Sequence, residues 1–224
     1  MQIFKLYLTE SIIAINIIIY IICAIANQNF FDIDLEILLE FGASNGFLVV
    51  LKDQWYRLFT SMFLHGGLMH IVMNMFSLYI VGKGVELYFS RLSYILLYIF
   101  SGIVGSMVSL FIHPGSIGVG ASGAIFGIFG AIMGFFVVYR NQLASNGIKV
   151  FKEFGVILGL NLIFGLSISS IDMSAHIGGL VVGFVGGYMI SKNPKFVYLF
   201  GLLMILLIAL LGYLLRLDYV SVYY

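Results

Sequence analysis

Seven apolar runs, at roughly 8–27, 68–88, 92–112, 119–140, 154–171, 173–191 and 196–215, take up most of this chain. Each is close to the ~20 residues that carry a helix across the hydrocarbon core of a bilayer. No water is available there to pair with backbone N–H and C=O groups, so a spanning segment must satisfy them itself, as a helix does. The runs at 92–112 and 196–215 contain no charge. The two prolines, Pro114 and Pro194, fall between runs, where a missing N–H does least harm. Only 9% of the residues are charged, against about 25% in soluble domains, and the mean hydropathy is +1.11. The sequence therefore predicts an all-α polytopic membrane protein, a single transmembrane domain over residues 1–224.

The net charge of +1 gives no reason to expect a nucleic-acid partner. Cys23 is the single cysteine, so an intramolecular disulfide and a cysteine-based metal site are both excluded; it is expected to be a small buried side chain. The first run is expected to stay as a helix.

Basic residues set the expected orientation. With the N-terminus in the cytoplasm, Lys5, Lys83, Arg91, Arg140, Lys149, Lys152, Lys192 and Lys195 fall on the cytoplasmic side or at inner ends of runs. Lys52, Arg57 and Arg216 fall outside, with the C-terminus, and so do seven of the ten acids. Between the first two runs lies a segment, 28–67, too apolar for a solvated loop. Residues 30–41 alternate acids with large hydrophobes, and 55–64 place Leu58 with Met62 and Phe59 with Phe63 at i,i+4. Both stretches suit short amphipathic helices in the outer interface.

Polar groups inside apolar runs are expensive and demand a reason. Four stand out: His70 and Asn74 in the second run, Ser122 in the fourth, His176 in the sixth. Runs two, four and six all travel from outside to inside, so all four residues lie in first turns on one side and can converge. Ser122 sits in Gly118-Val119-Gly120-Ala121-Ser122-Gly123, where glycines permit close backbone approach and a helix start favours an anion. A serine becomes a nucleophile only when a base takes its proton. Glycines at i,i+4 (Gly123 and Gly127, Gly130 and Gly134, Gly179 and Gly183) let runs four and six pack closely, which would bring His176 to Ser122. His70 and Asn74 share one helix face, and with the Ser122 backbone N–H they suit an oxyanion hole. Each feature also has a plainer reading: a small-residue interface for Ser122, and polar bridges between helices for the histidines and Asn74.

Together, Gly120-Ala121-Ser122-Gly123, Ala175-His176-Ile177-Gly178-Gly179 and His70-x-x-x-Asn74 resemble the rhomboid intramembrane serine proteases. The resemblance extends to Trp55-Tyr56-Arg57, Phe59-Thr60, His65 and Gly82-x-x-x-Glu86, and covers roughly residues 50–190. It implies a rhomboid-like six-helix bundle, about 8–191, with an additional seventh C-terminal transmembrane helix, about 196–215. It further implies Ser122 as nucleophile and His176 as general base of a dyad. His70, Asn74 and the Ser122 backbone would stabilise the oxyanion, supported by Gly120, Gly123 and Phe126, the last packing on the histidine. Arg57 and Glu86 match positions that hold the outer loop and the second span, and His65 is given a structural role. Asp172, four residues before His176, is read as a boundary acid and not as a third catalytic member.

The resemblance implies single-span transmembrane proteins as substrates and a lipid bilayer as surroundings, with no cofactor and no metal. Richness in Ile, Phe, Tyr and Asn points to an AT-rich bacterial genome, hence a bacterial plasma membrane with the site opening outward. Two other classes compete. A catalytically weak rhomboid-like scaffold would usually lack the serine or the histidine. A small transporter would be expected to show an internal repeat or a charge in mid-span, and neither is present.

Overall fold

The computed structural model describes residues 8–142, 155–156, 159 and 172–223. Six helices among them are long and apolar enough to cross a membrane: α1 (Leu8–Ala26), α4 (Leu68–Tyr88), α5 (Arg91–Ile112), α6 (Ser122–Tyr139), α7 (Met173–Lys192) and α8 (Phe196–Tyr223). They coincide with six of the seven apolar runs; apart from 155–156 and 159, the run expected at 154–171 lies outside the described residues. Two of the starts carry their own caps. The Ser90 hydroxyl accepts the Ser93 N–H at 3.2 Å, and the Asp172 carboxylate accepts the N–H groups of Ser174 at 3.0 Å and Ala175 at 3.2 Å, pairing donors a helix start leaves open.

Glycine placement decides which helices meet. A Cβ on Gly179 would stand 2.0 Å from the Gly123 carbonyl oxygen, and one on Gly183 would stand 1.8 Å from that of Gly127. α6 and α7 therefore touch backbone to backbone. The paired numbers rise together along both helices, so these two run parallel with their N-termini side by side. α5 packs antiparallel across both: Gly105 meets the Ala175 carbonyl and Ser101 meets Gly127. Twelve of the 18 residues of α6 are buried, making it the centre of the bundle. α4 packs on α6, α1 on α4, and α8 on α5 and α7.

The outer faces of these helices stay apolar. Ile15, Ile18, Ile22 and Ile25 on α1, and Leu199, Leu202, Leu206 and Leu210 on α8, are all exposed. In water such faces would be a liability, whereas in a bilayer they are the expected solvated surface.

Residues 27–67 fold over one end of the bundle, the loop face. The first predicted amphipathic stretch is helical only at α2 (Leu35–Glu40), because Asp32 instead bridges to Gly67 at the start of α4. The second is α3 (Arg57–Thr60), tightening to a 3₁₀ turn at Ser61–Phe63. Arg57 is the buried hub: its guanidinium donates to the carbonyls of Leu39 at 2.7 Å and Ala43 at 3.0 Å, and to the Gln54 side chain at 2.6 Å. A two-residue strand β1 (Ser44–Asn45) pairs antiparallel with β2 (Ile117–Gly118), which ties this segment to the connection between α5 and α6. Alternation over only two residues left no signal in the sequence.

α8 runs past the expected end near 215 to Tyr223. Its last turns continue because they have partners. Leu215 and Tyr219, at i,i+4, are buried in a second apolar cluster with Val49, Val50 and Leu58, while Arg216 on the exposed side pairs with Asp53 at 3.2 Å.

Candidate active site

The N-terminal ends of α4, α6 and α7 meet beneath the loop face around a cavity of about 1480 Å³. His70, Asn74, Gly120, Ser122, Phe126 and His176 all line it. All of the sequence-predicted site residues on these three helices are thus brought to one place, and Gly123 lines the same cavity.

Ser122 is the first residue of α6. The chain reaches it through Gly120 at φ +117°, a conformation L side chains rarely adopt. A Cβ there would also stand 2.8 Å from His70 Nε2, so glycine is required twice over. The Gly120 N–H donates to the Ser61 carbonyl at 2.9 Å. Ser122 therefore sits at the positive end of an 18-residue helix, where free backbone N–H groups and the helix dipole favour negative charge.

His176 lies in the first turn of α7, and its Nε2 is 2.7 Å from Ser122 Oγ, hydrogen-bond distance. With the proton on Nδ1, Nε2 accepts from the hydroxyl. The Phe126 ring lies flat against the imidazole, centroids 4.3 Å apart and planes 6° apart, and this stacking fixes the ring's orientation. His176 Nδ1 is buried and has no hydrogen-bond partner among the described residues. The Asp172 carboxylate, the only acid nearby in sequence, is occupied otherwise: it caps α7 and accepts the hydroxyls of Ser109 and Ser174.

His70 Nδ1 accepts the Gly66 N–H at 3.4 Å. In the neutral ring this leaves the proton on Nε2, the atom that faces Gly120. Asn74 gives one of its two amide hydrogens to the His70 carbonyl at 3.0 Å. His65, which the sequence placed in a loop, is only 1% exposed and meets the His70 ring edge to face at 5.1 Å. The Gly66 N–H and the Ser61 carbonyl are the part of the site's seat that sequence reasoning missed; His65, to which the sequence gives a structural role, completes it. The signal was present only as His65 beside Gly66-Gly67, with nothing in the spacing to show that the segment folds back onto α4. Among the described residues no three His, Cys, Asp or Glu side chains gather to hold a metal ion.

A family model described as "Rhomboid domain" matches residues 52–193. The chain belongs to the rhomboid family. Among its relatives, the "Rhomboid protease GluP" of Bacillus subtilis (strain 168) is 36% identical over 179 residues, 79% of this chain and 33% of that protein. The "RHOMBOID-like protein 6, mitochondrial" of Arabidopsis thaliana is 36% identical over 160 residues, 70% of this chain and 50% of that protein. The "Putative rhomboid protease YdcA" of Bacillus subtilis (strain 168) is 34% identical over 149 residues, 66% of this chain and 73% of that protein. The match thus spans half or less of the first two relatives. With six apolar helices among its described residues, this rhomboid is a multi-pass integral membrane protein.

Proposed function

We propose that this rhomboid is an intramembrane serine endopeptidase that cuts single-span membrane proteins at or near the outer face of the bilayer. The observation that carries the reading is the 2.7 Å contact between Ser122 Oγ and His176 Nε2, inside a cavity at the end of a membrane bundle. Ser122 Oγ attacks the scissile carbonyl carbon as His176 Nε2 takes the hydroxyl proton. The negative charge that develops on the carbonyl oxygen is met by the Ser122 backbone N–H, His70 Nε2–H and the Asn74 amide. His176 then returns the proton to the leaving amine, the C–N bond breaks and an acyl-enzyme remains on Ser122. Water, deprotonated by the same imidazole, hydrolyses the ester. Phe126 supplies one part of what a carboxylate does in a triad, holding the orientation of the imidazole by stacking, without setting its tautomer or offsetting its charge.

The substrate segment must be extended at the cut, because a helical peptide bond is shielded by its own turn. The proposed orientation puts the N-terminus in the cytoplasm and the cavity mouth on the outer side, in a bacterial plasma membrane. A catalytically weak scaffold that binds membrane proteins without cutting them remains the second reading, and a serine–histidine contact of this length disfavours it.

The test is cleavage of a single-span reporter by the purified protein in liposomes. Product from wild type and none from Ser122→Ala or His176→Ala is expected. Equal product from wild type and Ser122→Ala, at equal protein level, overturns the proposal.

A further inference from the structure

Residues 113–121 connect α5 to α6 and deliver Gly120 and Ser122 to the cavity. The segment is too short to have a core of its own, so its shape depends on external ties. At its inner end Gly120 N–H is held by the Ser61 carbonyl at 2.9 Å. In its middle β2 pairs with β1, and the Asn45 side chain donates to the Ser116 carbonyl at 3.4 Å. At its beginning the tie comes from the other end of the sequence: the Tyr219 hydroxyl lies 3.0 Å from the Leu110 carbonyl and 3.2 Å from the Pro114 carbonyl.

The chemistry explains why a hydroxyl is needed there. Within a helix the Leu110 carbonyl would accept from the N–H four residues on, but that residue is Pro114, which has none. Tyr219 supplies the donor that the proline lacks, and its one proton is shared with the Pro114 carbonyl beyond the helix end. The ring is 1% exposed, in the apolar cluster that also holds Leu110, Met107 and Leu215. Gly46 shapes the seat, since a Cβ there would stand 1.8 Å from the Tyr219 hydroxyl and 2.6 Å from the Pro114 oxygen. Tyr219 lies on α8, beyond the 52–193 stretch that the family model matches.

We propose that Tyr219 is a positioning residue for Ser122: the C-terminal helix sets the exit of α5 and so the placement of the Gly120–Ser122 segment. This rests on the reading of Ser122 as the nucleophile. α8 is then part of the active-site scaffold, although it contributes no group to the cavity. Gly46, close against the same hydroxyl, makes the tie sensitive to a single added methyl group.

The experiment compares full-length wild type, Tyr219→Phe, Gly46→Ala and, as a control on the same helix, Tyr198→Phe, whose ring is 71% exposed. Three quantities are read: the rate of Ser122 labelling by a fluorophosphonate, kcat and KM for a single-span reporter, and amide hydrogen exchange across 115–121. Tyr219→Phe keeps the ring and its packing; it is expected to label and turn over about tenfold more slowly, the scale of one lost hydrogen bond. KM should be little changed and exchange across 115–121 faster. Gly46→Ala should shift all three readouts the same way, and Tyr198→Phe should match wild type. A Tyr219→Phe variant that melts earlier but, while folded, labels, turns over and exchanges like wild type overturns the proposal and leaves the protease reading intact. A wild type that neither labels nor cleaves overturns the protease reading instead, and faster exchange in Tyr219→Phe then supports the anchor by itself.

Discussion

His65 touches no substrate in the proposed reaction, yet it is among the most buried polar residues of the loop face, at 1% exposure. Burial, together with the neighbouring His70, pushes its imidazole from an ordinary 6.5 down to about 3, against a weaker upward pull from the Phe63 backbone. The folded protein thus refuses a proton that the unfolded chain accepts, and stability falls as pH drops from 6.5 towards about 3. Thermal melting in detergent across that window should show the decline, with a shallower slope for His65→Gln. Parallel slopes would mean that the buried neutral imidazole is not its source. Asp172 acts in a lower window. Burial raises it, but hydrogen bonds from Ser109, Ser174 and the Ala175 and Ser174 amides outweigh that and hold it below its ordinary 3.8. Its contribution is therefore present above 3.8 and is lost as pH falls through the lower native value. At this scale Ser122, His176, His70 and Asn74 were legible because each is a polar side chain in an apolar run. His65 was legible as a structural residue, but its burial was not, because a histidine in a loop looks solvated until the loop is folded.

The glycines matter at the scale of the helix pair. α6 and α7 approach so closely at Gly127 and Gly183 that a Cβ on Gly183 has no space, 1.8 Å from a carbonyl oxygen that cannot rotate away. Gly183→Ala should force the helices apart, costing about 1–3 kcal/mol as overpacking, and separate His176 from Ser122 two turns above. Melting temperature and Ser122 labelling should both fall, whereas Gly115→Ala, with nothing within 4 Å of the added carbon, should leave both unchanged. If Gly183→Ala were as stable and as reactive as wild type, the backbone contact would not set the approach. The i,i+4 spacing announced this face in the sequence. The short pieces of the loop segment were harder to read: the 30–41 stretch shortens to α2 because Asp32 is drawn to Gly67, a pairing across 35 residues that no local pattern encodes.

For the whole molecule, orientation is the property that most affects function, since it decides which compartment the cavity faces. Cys23 is buried at 1% exposure, so the natural chain already serves as a background for cysteine labelling. Glu36→Cys on the loop face and Lys195→Cys at the opposite end are both exposed positions. In intact cells a membrane-impermeant maleimide should label the first and spare the second; the reverse result would put the site on the cytoplasmic side. The sequence by itself determined that the chain is a helical membrane protein, roughly where its six described spans begin, and which side chains are too polar to be there without a reason. Those follow from the energetics of solvation by lipid, which act residue by residue along a run. Only the tertiary structure decided the 2.7 Å approach of His176 to Ser122, the engagement of Asp172 with Ser109 and the seat of Tyr219 beneath Pro114. Each joins groups more than 50 residues apart, and such contacts are fixed by how whole helices pack and loops close, which no window of sequence contains.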